Sequence, residues 1–254
     1  MTVVALGAVR SAAVTTTAVG LASVWPGEGR RVVVEADPAG GTLAAAAGLA
    51  AEPGLVSLAA AARRQSDPEL VFAHDQALAG GTPVVPGPPG AEQARSALSM
   101  LGPLLAGLGD LDGLALVDCG RLDPPAPPGP FDTADISVLV CRPQLADLNS
   151  LAAFLAARPD TARTVVLVGA GPYPPGEIAD TLGVEVVGHL PWDPEAAAAL
   201  ATASPASRRL TRAPLVRALR SLAESLDARL PQSAAPPGEQ PDGIEKTDLA
   251  EAAR

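Results

Sequence analysis

The sequence predicts a doubly wound α/β fold, a mostly parallel sheet with helices on both faces within a single domain. Seven short runs of Val, Leu and Ile recur along the 254 residues. They are nearly continuous rather than alternating, as strands covered on both faces must be. Stretches of helical length separate them, and regular strand–helix alternation is the pattern of a parallel sheet.

The first strand spans 3–6, and the small-residue stretch GAVRSAAVTTTA (7–18) after it opens a helix over 16–24. Strand, small-residue turn and helix is the layout of a phosphate-binding loop. The second strand, 31–36, ends in Glu35-Ala36-Asp37, with Pro38 and two glycines behind it. A helix over 55–64, a strand over 82–85 and a helix over 91–105 follow. The next strands are 114–118 and 136–141, the second leading through a Pro turn to a helix over 145–157. Strand 164–168, helix 177–182, strand 184–190 and helix 194–201 complete the alternation. The Pro-rich stretches 87–90 and 121–132 can continue neither helix nor strand.

A last helix, about 213–230, carries Leu215, Leu219, Leu222, Leu226 and Leu230 on one stripe, with Arg217, Arg220, Glu224 and Asp227 opposite. That spacing fits a helix docked on the core. Arg208, Arg209 and Arg212 just before it leave a membrane-surface helix as the alternative. From Pro231 the chain turns polar, acidic and Pro-rich. The expected organisation is therefore a domain over 1–230 and a disordered tail over 231–254.

Composition narrows the function classes. The net charge of −10 argues against a nucleic-acid binder that relies on a general basic surface. A local basic patch of Arg208, Arg209, Arg212, Arg217 and Arg220 is the one feature that favours DNA. The chain has 17 Arg and a single Lys, Lys246, so lysine chemistry is excluded from residues 1–230. No apolar run approaches the roughly 20 residues that span a bilayer, and no basic leader precedes the first strand. A cytoplasmic location is expected.

Cys119 and Cys141 lack neighbouring His and read as buried, reduced thiols rather than zinc ligands. His74 and His189 have no Ser or Cys partner at a recognisable spacing and read as structural. Trp25 and Trp192 flank loops and read as lids over the core.

Several segments, in order, resemble the deviant Walker-A ATPases of the MinD/ParA type. They are the 7–18 loop, RRVVVEADPAGGTLA (30–44), GTPVVPGP (81–88), LDGLALVDCG (111–120), ADISVLVCRPQLADLNSL (134–151) and VVGHLPWDPEAAAAL (186–200). The resemblance implies a P-loop NTPase fold. The family loop, roughly Lys-Gly-Gly-x-Gly-Lys-Thr-Thr, sets its last threonines on Thr15 and Thr16. Its signature lysine then falls on Val9, its glycines on Arg10, Ser11 and Ala13, and its P-loop lysine on Val14. Thr15 matches the threonine that ligates Mg²⁺, Asp37 an acid of switch I, and Asp118 the Walker-B-like aspartate. In an active protein Asp37 and Asp118 would be the catalytic acids, and Thr15, Asp37 and Asp118 the metal-side groups.

Both lysines and every loop glycine are replaced here. Where the family places a base-reading Asn after its strand, this chain has Gly169-Ala170-Gly171. The resemblance therefore implies a degenerate, non-catalytic binding, scaffold or regulatory module in cell positioning, partitioning or the assembly of a pilus or secretion machine. No cofactor is expected of such a module, with weak ATP/Mg²⁺ binding as the alternative. Its partners would be proteins of that machine, a second copy, or an active relative. The alternative function is an active or slow ATPase that uses Arg10 as a surrogate cation. In the bland reading Thr15 to Thr17 simply cap the helix.

Overall fold

The computed structural model describes residues 2–10, 13–65, 67–122, 129–159, 164–202 and 208–230. The expected tail, Ser11, most of the 121–132 loop, and the side chains of Arg208 and Arg209 lie outside the described residues. The elements are β1 (Thr2–Ala8), α1 (Val14–Val24), β2 (Arg31–Glu35), α2 (Leu43–Ala47), α3 (Leu55–Ala62), α4 (Leu70–Ala73), β3 (Gln76–Ala77), β4 (Pro83–Val85), α5 (Ala91–Ala106) and β5 (Leu114–Arg121). They continue with α6 (Pro130–Thr133), β6 (Ile136–Cys141), α7 (Leu145–Ala157), β7 (Thr164–Val168), α8 (Pro175–Leu182), β8 (Glu185–Leu190), α9 (Pro194–Thr202), α10 (Arg208–Thr211) and α11 (Pro214–Asp227).

One eight-stranded sheet runs in the order β3-β4-β2-β5-β1-β6-β7-β8. Every neighbouring pair is parallel except β3–β4. All seven expected strands are present. The eighth, β3, is a two-residue antiparallel edge strand, too short to carry a pattern.

Alternate residues of the central strands feed two cores. Val3, Ala5, Val32 and Val34 meet α3, α5 and α7 through residues such as Leu58, Leu101 and Phe154. Val4, Leu6 and Val33 meet α1, α9 and α11 through Val19, Leu200 and Leu219. Both faces are covered, which is why the strands read as unbroken apolar runs.

The Leu stripe of α11 is buried at Leu215, Leu219, Leu222 and Leu226, and Leu230 packs against the same core. It lies against α1 and β8. A Cβ at Gly20 of α1 would collide with the Leu219 side chain, so glycine sets this close approach. The packing overturns the membrane-surface alternative, because the apolar face is already occupied. Among the described residues no helix is long and apolar enough to cross a membrane.

Two other expectations are corrected here. Trp192 is no lid, since 58% of it is exposed; Trp25 is buried and donates from Nε1 to Asp227 Oδ1 at 3.1 Å. His74 does have a serine partner, Ser57 Oγ at 2.8 Å from Nδ1, which spacing alone hid across 17 residues. Ser57 Oγ also bonds both N–H and C=O of Gly54, so the pair fixes the start of α3. Cys119 and Cys141 are buried free thiols, as expected. Their strands β5 and β6 are separated by β1.

Candidate functional site

β1 is the switch point of the sheet. The chain leaves it towards β2 and β4, returns to β5 beside it, then passes to β6 on its other flank. Ligand crevices of doubly wound sheets open outside the carboxyl ends of strands at such a point. Val9, Arg10, Ala13 and the N-terminus of α1 lie there.

Ala13 takes φ 56°, ψ 37°, and is the one non-glycine at positive φ among the described residues. The left-handed conformation expected of a loop glycine is thus made by an alanine, at a cost of about 1–3 kcal/mol. The following side chain, Val14, is 7% exposed and packs into the core around α1. Val9 packs half-buried against the opposite core. Apolar side chains turned into the protein therefore stand where the resemblance places both lysines. Arg10 is 57% exposed at its side chain, and its Nε lies 3.5 Å from Asp147 Oδ1 in the first turn of α7.

The three threonines do not cap α1. The N-cap is Ala13, with no side-chain cap hydrogen bond. This left-handed residue places Thr15 to Thr17 inside the first turn, past the position from which a hydroxyl reaches the free N–H groups. Thr17 Oγ1 instead donates back to Ala13 O at 2.8 Å. The Thr15 hydroxyl turns to Asp118.

Asp118 ends the apolar part of β5, paired in register with Leu6 of β1 and Glu35 of β2. It is 0% exposed. Oδ1 accepts the Gly120 N–H at 2.9 Å, while Oδ2 is buried with no hydrogen-bond partner. Burial pushes its carboxyl up to about 7; the Thr15 hydroxyl and Gly120 N–H oppose this, and the charges of Glu35 and Asp37 add to it.

Glu35 is a residue of the candidate site to which sequence reasoning assigned no role. Its Oε1 accepts the N–H groups of Thr42 (2.7 Å) and Leu43 (3.0 Å), and its Oε2 that of Gly87 (2.8 Å). Burial raises its pKa, against the pull of those three donors. The available signal was a carboxylate closing an otherwise apolar strand, since a buried charge must be hydrogen-bonded. Asp37 lies just beyond, accepting the Ala39 N–H at 2.7 Å, and burial raises its pKa too. Its carboxyl group occupies the space that a Cβ at Gly120 (φ 58°) would need, so the residue two past Asp118 is glycine. Among the described residues no group of three or more His, Cys, Asp or Glu could hold a metal ion.

Beside the loop, a cleft of about 170 Å³ opens between α1, the ends of β7 and β8, and α11. Ala13, Thr16, Val168, Trp192, Leu215 and Leu219 are among its lining. The Arg142 guanidinium stacks over the Trp192 ring, 4.8 Å from its centroid. The Gly169-Ala170-Gly171 turn offers no amide side chain, but Gln144 Nε2 donates to Ala170 O at 2.9 Å. His189 Nε2 bonds Gly169 O at 2.7 Å, which fixes that histidine as a structural donor.

No family model matches this chain. No curated protein matches it either. Solved structures do. A ParA family ATPase from Chlorobium tepidum TLS superposes with a TM-score of 0.73 at 15% identity, over 89% of this chain and 98% of that one. The septum site-determining protein MinD of Pyrococcus horikoshii OT3, complexed with Mg-ADP, gives 0.62 at 17% identity over 89% and 96%. The MinC:MinD cell division protein complex of Aquifex aeolicus gives 0.62 at 13% identity over 90% and 96%. The fold is that of the ParA and MinD ATPases. The likeness drawn from the sequence holds at the level of the fold.

Proposed function

We propose that this protein is a ParA/MinD-fold binding module that acts in cellular positioning, partitioning or the assembly of a surface machine without ATP turnover. The observation that carries this is that Val14 is buried and Val9 packs half-buried at the positions expected of the two lysines. A phosphate loop needs backbone N–H groups freed by glycine and a cation at the β and γ oxygens. Each preorganised charge-stabilising group lowers the barrier of such a reaction by about 3–4 kcal/mol. Here the acidic half of the site is kept, as Asp118, Asp37 and Glu35, while the cationic half is replaced by methyl groups.

These residues do not fit a magnesium–nucleoside triphosphate. A polyanion beside Asp118 would meet three carboxyl groups, two valines and no lysine. Arg10, the cation of the active-enzyme alternative, is held towards Asp147. Mg-ADP in the Pyrococcus protein and MinC on the Aquifex protein are properties of those relatives. The second of them, protein recruitment, is the one we assign here.

The test is ATP hydrolysis and nucleotide-dependent self-association, measured on the wild type and on Arg10→Ala. Neither activity is expected in either protein. Hydrolysis by the wild type that Arg10→Ala abolishes would establish the surrogate-cation enzyme instead.

A further inference from the structure

We propose that Trp192, Arg142 and Leu145, with the cleft beneath Trp192, form a docking site for a partner segment that presents one apolar side chain beside a carboxylate. The inference deepens the binding-module reading and rests on it.

Exposure comes first. Among the described residues the exposed large apolar side chains are Met100, Leu145 and Trp192. Scattered singly, such residues need no explanation. Two of the three flank Arg142, however: Trp192 lies under its guanidinium, and Leu145 is three residues on and 59% exposed.

Size decides the class of occupant. Cofactor and small-molecule sites run to roughly 300–1,000 Å³. The cleft of about 170 Å³ is too small for that class and holds one Leu- or Phe-sized anchor. A single apolar anchor in a pocket roofed by Trp, with an Arg stacked on that Trp, is the usual centre of a protein interface.

Charge decides the anchor's neighbour. In a chain with 28 acidic and 18 basic residues, no described carboxylate pairs with Arg142. Its Nε is buried without a hydrogen-bond partner. The nearby acid, Asp193, is engaged through Oδ1 with the Ala196 N–H at the start of α9. Stacking on the indole fixes the guanidinium plane and leaves its fork free for a carboxylate, the geometry arginine binds best.

The test uses short labelled peptides and fluorescence anisotropy on the full chain. One peptide carries Phe between glutamates, a second Phe between lysines, and a third Ala between glutamates. The Glu/Phe peptide is expected to bind, with Arg142→Glu and Trp192→Ala each weakening it by about tenfold or more. Arg142→Glu is also expected to admit the Lys/Phe peptide. Trp192 is exposed and Arg142 half-buried, and unchanged melting temperatures for the two variants will confirm intact folding. Failure of the Glu/Phe peptide to saturate at millimolar concentration overturns the site, as does equal binding of the Lys/Phe or Ala peptide, or indifference to both substitutions. Self-association abolished by Trp192→Ala would assign the rim to a second copy and also overturn it. Displacement of a bound peptide by Mg-ATP would overturn the nucleotide-independent reading beneath it and leave the peptide site standing.

Discussion

Glu35 Oε2 accepts the Gly87 N–H at 2.8 Å, so one buried carboxylate ties the end of β2 to the loop after β4 across 52 residues of sequence. Its other oxygen holds Thr42 and Leu43 at the start of α2. One side chain thus fixes two of the loops that frame the crevice.

Removing that carboxylate leaves three backbone donors without it. Each unsatisfied buried donor costs about 1–3 kcal/mol. Glu35→Ala is therefore expected to lower stability by about 3–5 kcal/mol in urea unfolding, with Glu35→Gln losing less. A change within experimental error would show that water replaces the carboxylate freely.

Ala13 holds a left-handed conformation that glycine adopts without steric cost. Ala13→Gly relieves that strain but gives the unfolded chain more freedom, leaving a net gain of about 1 kcal/mol. Denaturant melts of the two proteins will read it. Destabilisation by the glycine would mean that the Ala13 methyl group, at the edge of the cleft, contributes more by packing than its backbone costs.

Asp118 makes stability depend on pH. Its folded-state pKa is raised from 3.8 to about 7, so the folded state holds the proton more tightly than the unfolded state. Stability from this group is full below the unfolded value and is lost as pH rises through the folded one. At about 1.4 kcal/mol per unit, the loss across this window is on the order of 4 kcal/mol. Burial raises the pKa of Glu35 and Asp37 as well, and both act with the same sign. Asp118→Asn is expected to flatten unfolding free energy against pH above about pH 4 and to be the more stable protein in mild alkali. An unaltered slope would contradict the burial of a carboxyl group whose desolvation outweighs its hydrogen bonds.

The contact between Gly20 of α1 and Leu219 of α11 is expected to be coupled. Leu219→Ala should cost about 2–5 kcal/mol by opening a cavity, and Gly20→Ala about 1–3 kcal/mol by overpacking. The double variant should lose clearly less than the two single losses combined, because the added methyl group enters the vacated space. Additive losses would show that the helices meet elsewhere.

The strands were legible because both faces of the sheet are covered, so Val32, Val33 and Val34 could all be apolar in succession. The single-turn helices α2, α4, α6 and α10 were not legible, since so short a helix depends on tertiary context rather than propensity. At the site, Asp37 and Asp118 stood out as acids ending apolar strands. The role of Glu35 did not, because its partners lie 7 to 52 residues away. Thr15 to Thr17 read as caps because sequence gives no sign that Ala13 would turn left-handed. Arg142 and Trp192 are fifty positions apart, on turns that meet only when β6, β7 and β8 lie side by side.

Calorimetric titration of the full chain with Mg-ATP, and in parallel with Mg-ADP, tests the central claim most directly. With valines packed into the two cores at positions 9 and 14 and no lysine there, no heat of binding is expected at millimolar nucleotide. A dissociation constant in the micromolar range would mean that the α1 N-terminus, its threonines and an arginine have rebuilt a phosphate site. The protein would then be a nucleotide-controlled switch, and the binding-module account would fall.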